Sequence, residues 1–183
     1  IKIYGDAAIG IIASVGIAAG VILASISHGF NLDLLSYLFG NILAISIGEM
    51  YLSIALSIVV LLVISLFYYD LFSITFNEEY AKVAGVRVRV INTMLVVLTA
   101  ITVVLSIRVV GIMLISAFIV LPPVIALQLA KGFKSAIIVS AITSVITVIL
   151  GILVSFILNI PAGAMIVIIN FIFLLLAIGY KKI

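Results

Sequence analysis

Polar positions are so sparse along this 183-residue chain that they divide it into apolar runs. The first run, from about Ala7 to Ser27, is long enough as a helix to cross a hydrocarbon core of about 30 Å. A polar break follows at His28-Gly29-Phe30-Asn31-Leu32-Asp33. The next run, Leu34 to Ile47, is interrupted by Gly40-Asn41 and falls short of the roughly 20 residues a crossing needs, so it is expected to form a re-entrant or interfacial helix ended by Glu49. Met50 to Tyr69 reads as the second span, closed by the interfacial pair Tyr68-Tyr69. Val90 to Leu129 would measure about 60 Å as one helix, twice the hydrocarbon core, and therefore requires two spans. Arg108 and Gly111 mark the turn between them, and Pro122-Pro123 is expected to kink the returning span. Ser135 to Leu158 follows Lys131-Gly132-Phe133-Lys134, and Ala164 to Gly179 follows the turn Asn159-Ile160-Pro161-Ala162-Gly163. The pattern predicts an all-α polytopic membrane protein with about six transmembrane helices plus one short helix that does not cross.

Between the second and third spans lies the one stretch where charge is concentrated, Asp70 to Arg89. Asn77 is placed to cap a helix through its side-chain oxygen. Glu78 and Glu79 follow where the helix dipole favours anions, and Gly85 is placed to close the helix in a left-handed conformation. The expectation is a capped helix of about two turns, Glu78 to Ala84, flanked by Lys82, Arg87 and Arg89. On the residues alone, a docking element and an ordinary solvated loop both fit.

Two faces are rich in small residues. In the first span Ala13, Gly16, Gly20 and Ala24 share a face, and Gly16 with Gly20 forms a GxxxG pair suited to close helix packing. In the Ser135–Leu158 span, Ala136, Ser140, Ser144, Thr147, Gly151 and Ser155 form a weakly polar stripe expected to bury against protein or a wet pathway.

Composition sharpens this picture. Hydrophobic residues make up 67% of the chain and charged residues 8%, which excludes an ordinary soluble domain. The net charge of +3 reports topology, not nucleic-acid binding. Lys2, Lys82, Arg87, Arg89, Lys131, Lys134, Lys181 and Lys182 can all lie on one side, leaving only Arg108 of the nine basic residues opposite. That side is cytoplasmic by the positive-inside rule. The capped helix then lies in the cytoplasm, with His28, Asp33 and Arg108 outside. The first residue is Ile1 and a span begins almost at once, so the chain is expected to be part of a longer protein.

The available chemistry is meagre. Cysteine is absent and histidine occurs once, which leaves no thiolate metal site, HExxH or CxxC motif. Lys134-Ser135 lacks the upstream glycines of a phosphate-binding loop. No ionisable side chain sits mid-span, where ion-coupled carriers keep theirs. No catalytic residue is therefore assigned. His28 and Asp33 are the only, and weak, candidate metal ligands. Arg108 is expected to snorkel to the outer surface, a gate or partner contact being the alternative.

Several stretches together resemble the membrane permease subunits of ABC importers for zinc, manganese and iron. They are Tyr37-Leu38-Phe39-Gly40-Asn41-Ile42-Leu43, Phe76-Asn77-Glu78-Glu79-Tyr80-Ala81-Lys82-Val83-Ala84-Gly85-Val86, Val110-Gly111-Ile112-Met113-Leu114-Ile115-Ser116-Ala117 running into Leu121-Pro122-Pro123, and Pro161-Ala162-Gly163-Ala164. Their order and spacing cover almost the whole chain. Cobalamin and siderophore permeases, the type II importers, have a similar layout and are the nearest alternative. An ATP-independent secondary carrier or channel is the alternative of a different class.

The resemblance implies a single transmembrane permease domain over residues 1–183 in the cell membrane, without the N-terminal spans that family members carry. It implies a homodimer working with cytoplasmic ABC ATPase subunits and an extracellular metal-binding protein. It also implies a cytoplasmic coupling helix containing Asn77, Glu78, Glu79, Ala81 and Gly85 that seats on the ATPase. Family members often have Asp-Pro-Glu where this chain has Asn77-Glu78-Glu79, and Asn77 keeps the capping oxygen. Gly16, Gly20, Pro122, Pro123, Ser140, Ser144 and Gly151 are expected to serve the pathway or helix packing. The chain itself is expected to hold no cofactor: the divalent metal is cargo, and ATP belongs to the partner.

Overall fold

The computed structural model describes residues 5–27 and 46–182. His28, Asp33 and Gly40-Asn41 lie outside the described residues, as does nearly all of the run from Leu34 to Ile47 and the side chain of Arg108. The described chain is all-helical: α1 Gly5–Ile26, α2 Ile47–Leu66, α3 Tyr68–Phe76, α4 Glu78–Val83, α5 Val88–Val110, α6 Ile112–Leu129, α7 Phe133–Leu158 and α8 Ala162–Lys182. Among the described residues five helices, α1, α2, α5, α7 and α8, are long and apolar enough to cross a membrane, whereas α6 contributes a shorter apolar segment, Leu114–Leu129. The protein is a multi-pass membrane protein.

The chain forms two compact units, one comprising Ile1–Ile42 with Val110–Ile183 and the other Leu43–Val109. In the first, α6, α7 and α8 pack on one another and α1 packs on α6 and α8. Its core is aliphatic, with Leu114, Leu121, Ile125, Ile166, Val167 and Leu174 almost wholly buried. Helix α6 supplies much of this core although Pro122 and Pro123 lie inside it. Their ring nitrogens cannot donate to the carbonyls of Phe118 and Ile119, so the neighbouring helices must hold this segment in place.

The packed face of α1 differs from the small-residue face marked in the sequence. Ile11, Ser14, Ala18 and Val21 are buried, while Gly16 and Gly20 are exposed. Among the described residues nothing lies within 4 Å of a Cβ built on either glycine. Instead Gly10 makes the close approach to α6, where an added Cβ would stand 3.3 Å from a Val120 methyl. In lipid no hydrophobic drive selects which face is covered, so the choice falls to whichever neighbour fits most closely.

Helix α7 uses the expected stripe in part. Thr147, Gly151 and Ser155 are buried together with Thr143, which the stripe did not include, and Ala136, Ser140 and Ser144 are half-buried. A Cβ on Gly151 would sit 2.8 Å from the Ile166 Cα and would overlap the Ile166 side chain, so the two backbones nearly touch there. The turn into α8 is closed by Asn159, left-handed at φ 53°, with Ile160 N–H donating to the Ser155 carbonyl at 3.2 Å. The Ser155 hydroxyl returns a hydrogen bond to the Ile160 carbonyl.

Two boundaries differ from those expected in the second unit. Glu49 does not end a helix; it opens one. Ser46 caps α2 in a reciprocal box, its hydroxyl accepting from Glu49 N–H at 3.2 Å and its own N–H donating to the Glu49 carboxylate at 3.0 Å. The second span also continues past Tyr69. After a break at Phe67, the chain resumes as α3 to Phe76, with the Phe72 and Phe76 rings 4.7 Å apart. From Ile47 to Phe76 this makes about 45 Å of helical contour, more than the roughly 30 Å a single crossing of the hydrocarbon core uses.

Candidate functional site: a short capped helix between two membrane spans

Helix α4 has only six residues, too few to persist in water by propensity alone. Both of its ends are tied. The Asn77 backbone is extended, at φ −158° and ψ 102°, and its side-chain oxygen accepts from Tyr80 N–H at 3.0 Å. At the other end Gly85 has φ +87° and donates to the Lys82 carbonyl at 3.1 Å, while Val86 donates to the Ala81 carbonyl at 3.0 Å. That crossed pair is a Schellman closure, which requires the left-handed residue that glycine supplies without a Cβ penalty. Nothing lies within 4 Å of a Cβ built on Gly85 among the described residues, so its backbone angle alone demands glycine.

Charge follows the dipole along this helix. Glu78 and Glu79 occupy the first turn and Lys82 the last. Lys82 Nζ pairs with Glu78 Oε1 at 2.7 Å across one turn, both side chains more than half exposed, which contributes about 0.3–0.5 kcal/mol. Ala81 is fully buried and seats the helix on its own chain. Glu78, Glu79, Tyr80, Lys82 and Val83 are exposed, with Val83 at 86%. The helix thus presents Glu78, Glu79, Tyr80, Lys82 and Val83 outward from a backbone closed at both ends.

The other marked residues separate. Pro122 and Gly151 are buried in the first unit, Pro123 is exposed, and Ser140 and Ser144 are half-buried on α7. The hydroxyls of Thr143, Ser144 and Thr147 donate to carbonyls of their own helix, at 2.7, 2.9 and 3.1 Å. That satisfies them without water, as a helix packed within hydrocarbon requires. The sequence reading missed Asn170, 1% exposed on α8. Its amide nitrogen donates to the Ile166 carbonyl at 3.2 Å, and its Oδ1 has no hydrogen-bond partner among the described residues. An amide in the middle of an apolar span was the available signal. Among the described residues no group of three or more His, Cys, Asp or Glu is placed to hold a metal ion.

A family model described as the ABC 3 transport family matches residues 1–181. The chain belongs to the ABC 3 transport family. Relatives of this ABC 3 chain include proteins named for manganese. The manganese transport system membrane protein MntC of Halalkalibacterium halodurans is 33% identical over 168 residues, covering 92% of this chain and 58% of that one. The manganese import system permease protein ScaB of Streptococcus gordonii is 36% identical over 165 residues, covering 90% and 59% respectively. The chain therefore spans under two-thirds of the length of these curated relatives. A solved structure, PsaBC from Streptococcus pneumoniae in complex with Fab, superposes with a TM-score of 0.75 at 32% identity, covering 96% of this chain and 63% of that one.

Proposed function

We propose that this chain is the membrane permease subunit of an ATP-driven importer for a divalent metal ion, manganese being favoured by the names of its relatives. The observation that carries this reading is α4, a rigid, doubly closed helix between membrane spans in a chain of the ABC 3 transport family. A subunit that passes on force from a separate ATPase needs a contact element that does not fray when pushed. Asn77 and Gly85 supply that property, and Glu78 and Glu79 form the charged face for docking. Residues 1–183 act as one permease domain with six crossings, α6 being the sixth, in the manner of the type II importers. Two copies form the pathway, two cytoplasmic ATPases drive it, and an extracellular binding protein delivers the metal to the outer mouth. The chain contributes the pathway and the mechanical link while ATP is hydrolysed on the partner.

The test is uptake into proteoliposomes by the full-length protein with its ATPase. Manganese, zinc, iron(II) and cobalamin are compared with and without ATP. ATP-dependent uptake of manganese is expected. Gly85→Asp, which puts a side chain at φ +87°, is expected to abolish uptake while leaving the spans folded. Uptake indifferent to ATP, or normal uptake by Gly85→Asp, would overturn the reading.

A further inference from the structure

We propose that Asn170 on α8 holds one buried water molecule, which it shares with the Phe118 carbonyl of α6. The first unit contains two buried acceptors in want of a donor. The Asn170 side chain is 1% exposed and donates from its amide nitrogen to the Ile166 carbonyl at 3.2 Å, while among the described residues its Oδ1 has no hydrogen-bond partner. The second acceptor follows from the covalent chemistry of α6. A helical carbonyl points along the axis toward the residue four positions on, and for Phe118 that residue is Pro122, which has no N–H to give. Pro122 is almost wholly buried, so the unanswered carbonyl lies on the packed side of α6. Pro123 is exposed, and the Ile119 carbonyl that it leaves open belongs to the exposed side.

Topology brings the two acceptors to one level. The connections 130–132 and 159–161 are short, so α7 runs antiparallel to both neighbours and α6 runs parallel to α8. Phe118 is the seventh residue of α6 and Asn170 the ninth of α8, which differ by about 3 Å in rise when counted from turns on the same side. The two helices pack directly on each other. The hydroxyls nearby are already engaged: Ser116 donates to the Ile112 carbonyl, and Thr143 and Thr147 donate to carbonyls of their own helix. A further span could not reach the Asn170 side chain, because its own neighbours already cover it. Two facing acceptors gain nothing from each other, whereas one water carries two O–H donors and answers both. A metal ion also takes oxygen ligands, but two neutral oxygens do not offset its desolvation, and among the described residues no cluster of acids or histidines is placed to help. The water closes the hydrogen bond that Pro122 interrupts and ties α6 to α8 through a buried amide.

The proposal does not depend on what the protein transports. Its direct test is a structure of the full-length protein at a resolution that shows ordered water. Density within about 3 Å of both Asn170 Oδ1 and the Phe118 carbonyl oxygen is expected. A protein donor on Oδ1, such as the hydroxyl of Thr147 or Ser14, would overturn the proposal, as would density that reaches one acceptor without the other, or none. A double-mutant cycle on the folded fraction in denaturing detergent gives a second test. Pro122→Ala restores an N–H to the Phe118 carbonyl, so in that background Asn170→Leu no longer strands an acceptor. Asn170→Leu is expected to favour the folded ratio about fivefold more beside Pro122→Ala than in wild type, the scale of one hydrogen bond. Beside Pro123→Ala, which answers the carbonyl on the exposed side, it is expected to keep its wild-type effect. An equal effect of Asn170→Leu in all three backgrounds would overturn the shared water.

Discussion

Replacing Gly151 by alanine sets a carbon atom where the neighbouring helix already has its backbone. The new Cβ would stand 2.8 Å from the Ile166 Cα and 3.1 Å from its Cβ, with Ile166 Cγ1 nearer still. Carbon atoms rest at about 3.5–4.0 Å, so α7 and α8 must part by about 1 Å at this point. Such a gap forfeits a quarter to a half of each contact's dispersion energy along the seam that buries Thr147, Ser155, Ile166 and Asn170. Overpacking costs about 1–3 kcal/mol, and the better helix propensity of alanine returns somewhat under 1 kcal/mol. The expected net loss is about 1–2 kcal/mol, a factor of five to thirty in the folded ratio.

The assay is the folded fraction of the purified protein in mixed micelles as denaturing detergent is raised. Gly20→Ala is measured alongside it, since among the described residues nothing lies within 4 Å of that position. Gly20→Ala is expected to be neutral or slightly stabilising. Ile166→Ala removes Cγ1 but leaves the backbone of residue 166 in the way, and it carries its own cavity cost, so in a double-mutant cycle Gly151→Ala is expected to cost less in the Ile166→Ala background than in wild type, but not nothing. Wild-type stability in Gly151→Ala would refute the close approach, and a Gly151→Ala change that costs nothing in the Ile166→Ala background would refute its backbone component.

Two further outcomes follow from named contacts. Asn170→Leu removes the buried Oδ1 that has no partner among the described residues and is expected to leave stability unchanged or raise it by about 1 kcal/mol, whereas Asn170→Asp buries a carboxylate and lowers it by several; both are read in the same detergent titration. Asn77→Ala removes the oxygen that accepts from Tyr80 N–H and is expected to cost about 1 kcal/mol locally, seen as about fivefold faster hydrogen exchange at that amide with exchange in α7 unaltered.

What the sequence disclosed depended on how far each signal reaches along the chain. The α4 caps were legible because every participant, from Asn77 to Val86, lies within a few residues of the helix it closes. The α2 cap is equally local, with Ser46 and Glu49 in the S-x-x-E spacing of a capping box. It was less legible because Glu49 ends one apolar run as visibly as it begins another, and hydropathy alone does not say which side a polar residue serves. The break at Phe67 had no such marker: no proline or glycine precedes α3, and the aromatic pair Tyr68-Tyr69 reads as an interface.

Faces were less legible than ends, and the glycines show why. Gly16 and Gly20 satisfy the packing motif by spacing, yet both stand exposed, while Gly151, in a looser stripe of serines and threonines, meets the backbone of Ile166. In water the hydrophobic face of a helix is the buried face, so periodicity identifies it. In lipid both faces are apolar, and burial is decided by which neighbour can approach most closely. That depends on a partner far along the chain, here Ile166 on the next helix, whose backbone must meet the glycine in register. Local chemistry therefore places the ends of these helices, but only the paired helices together decide which small residues meet a neighbour.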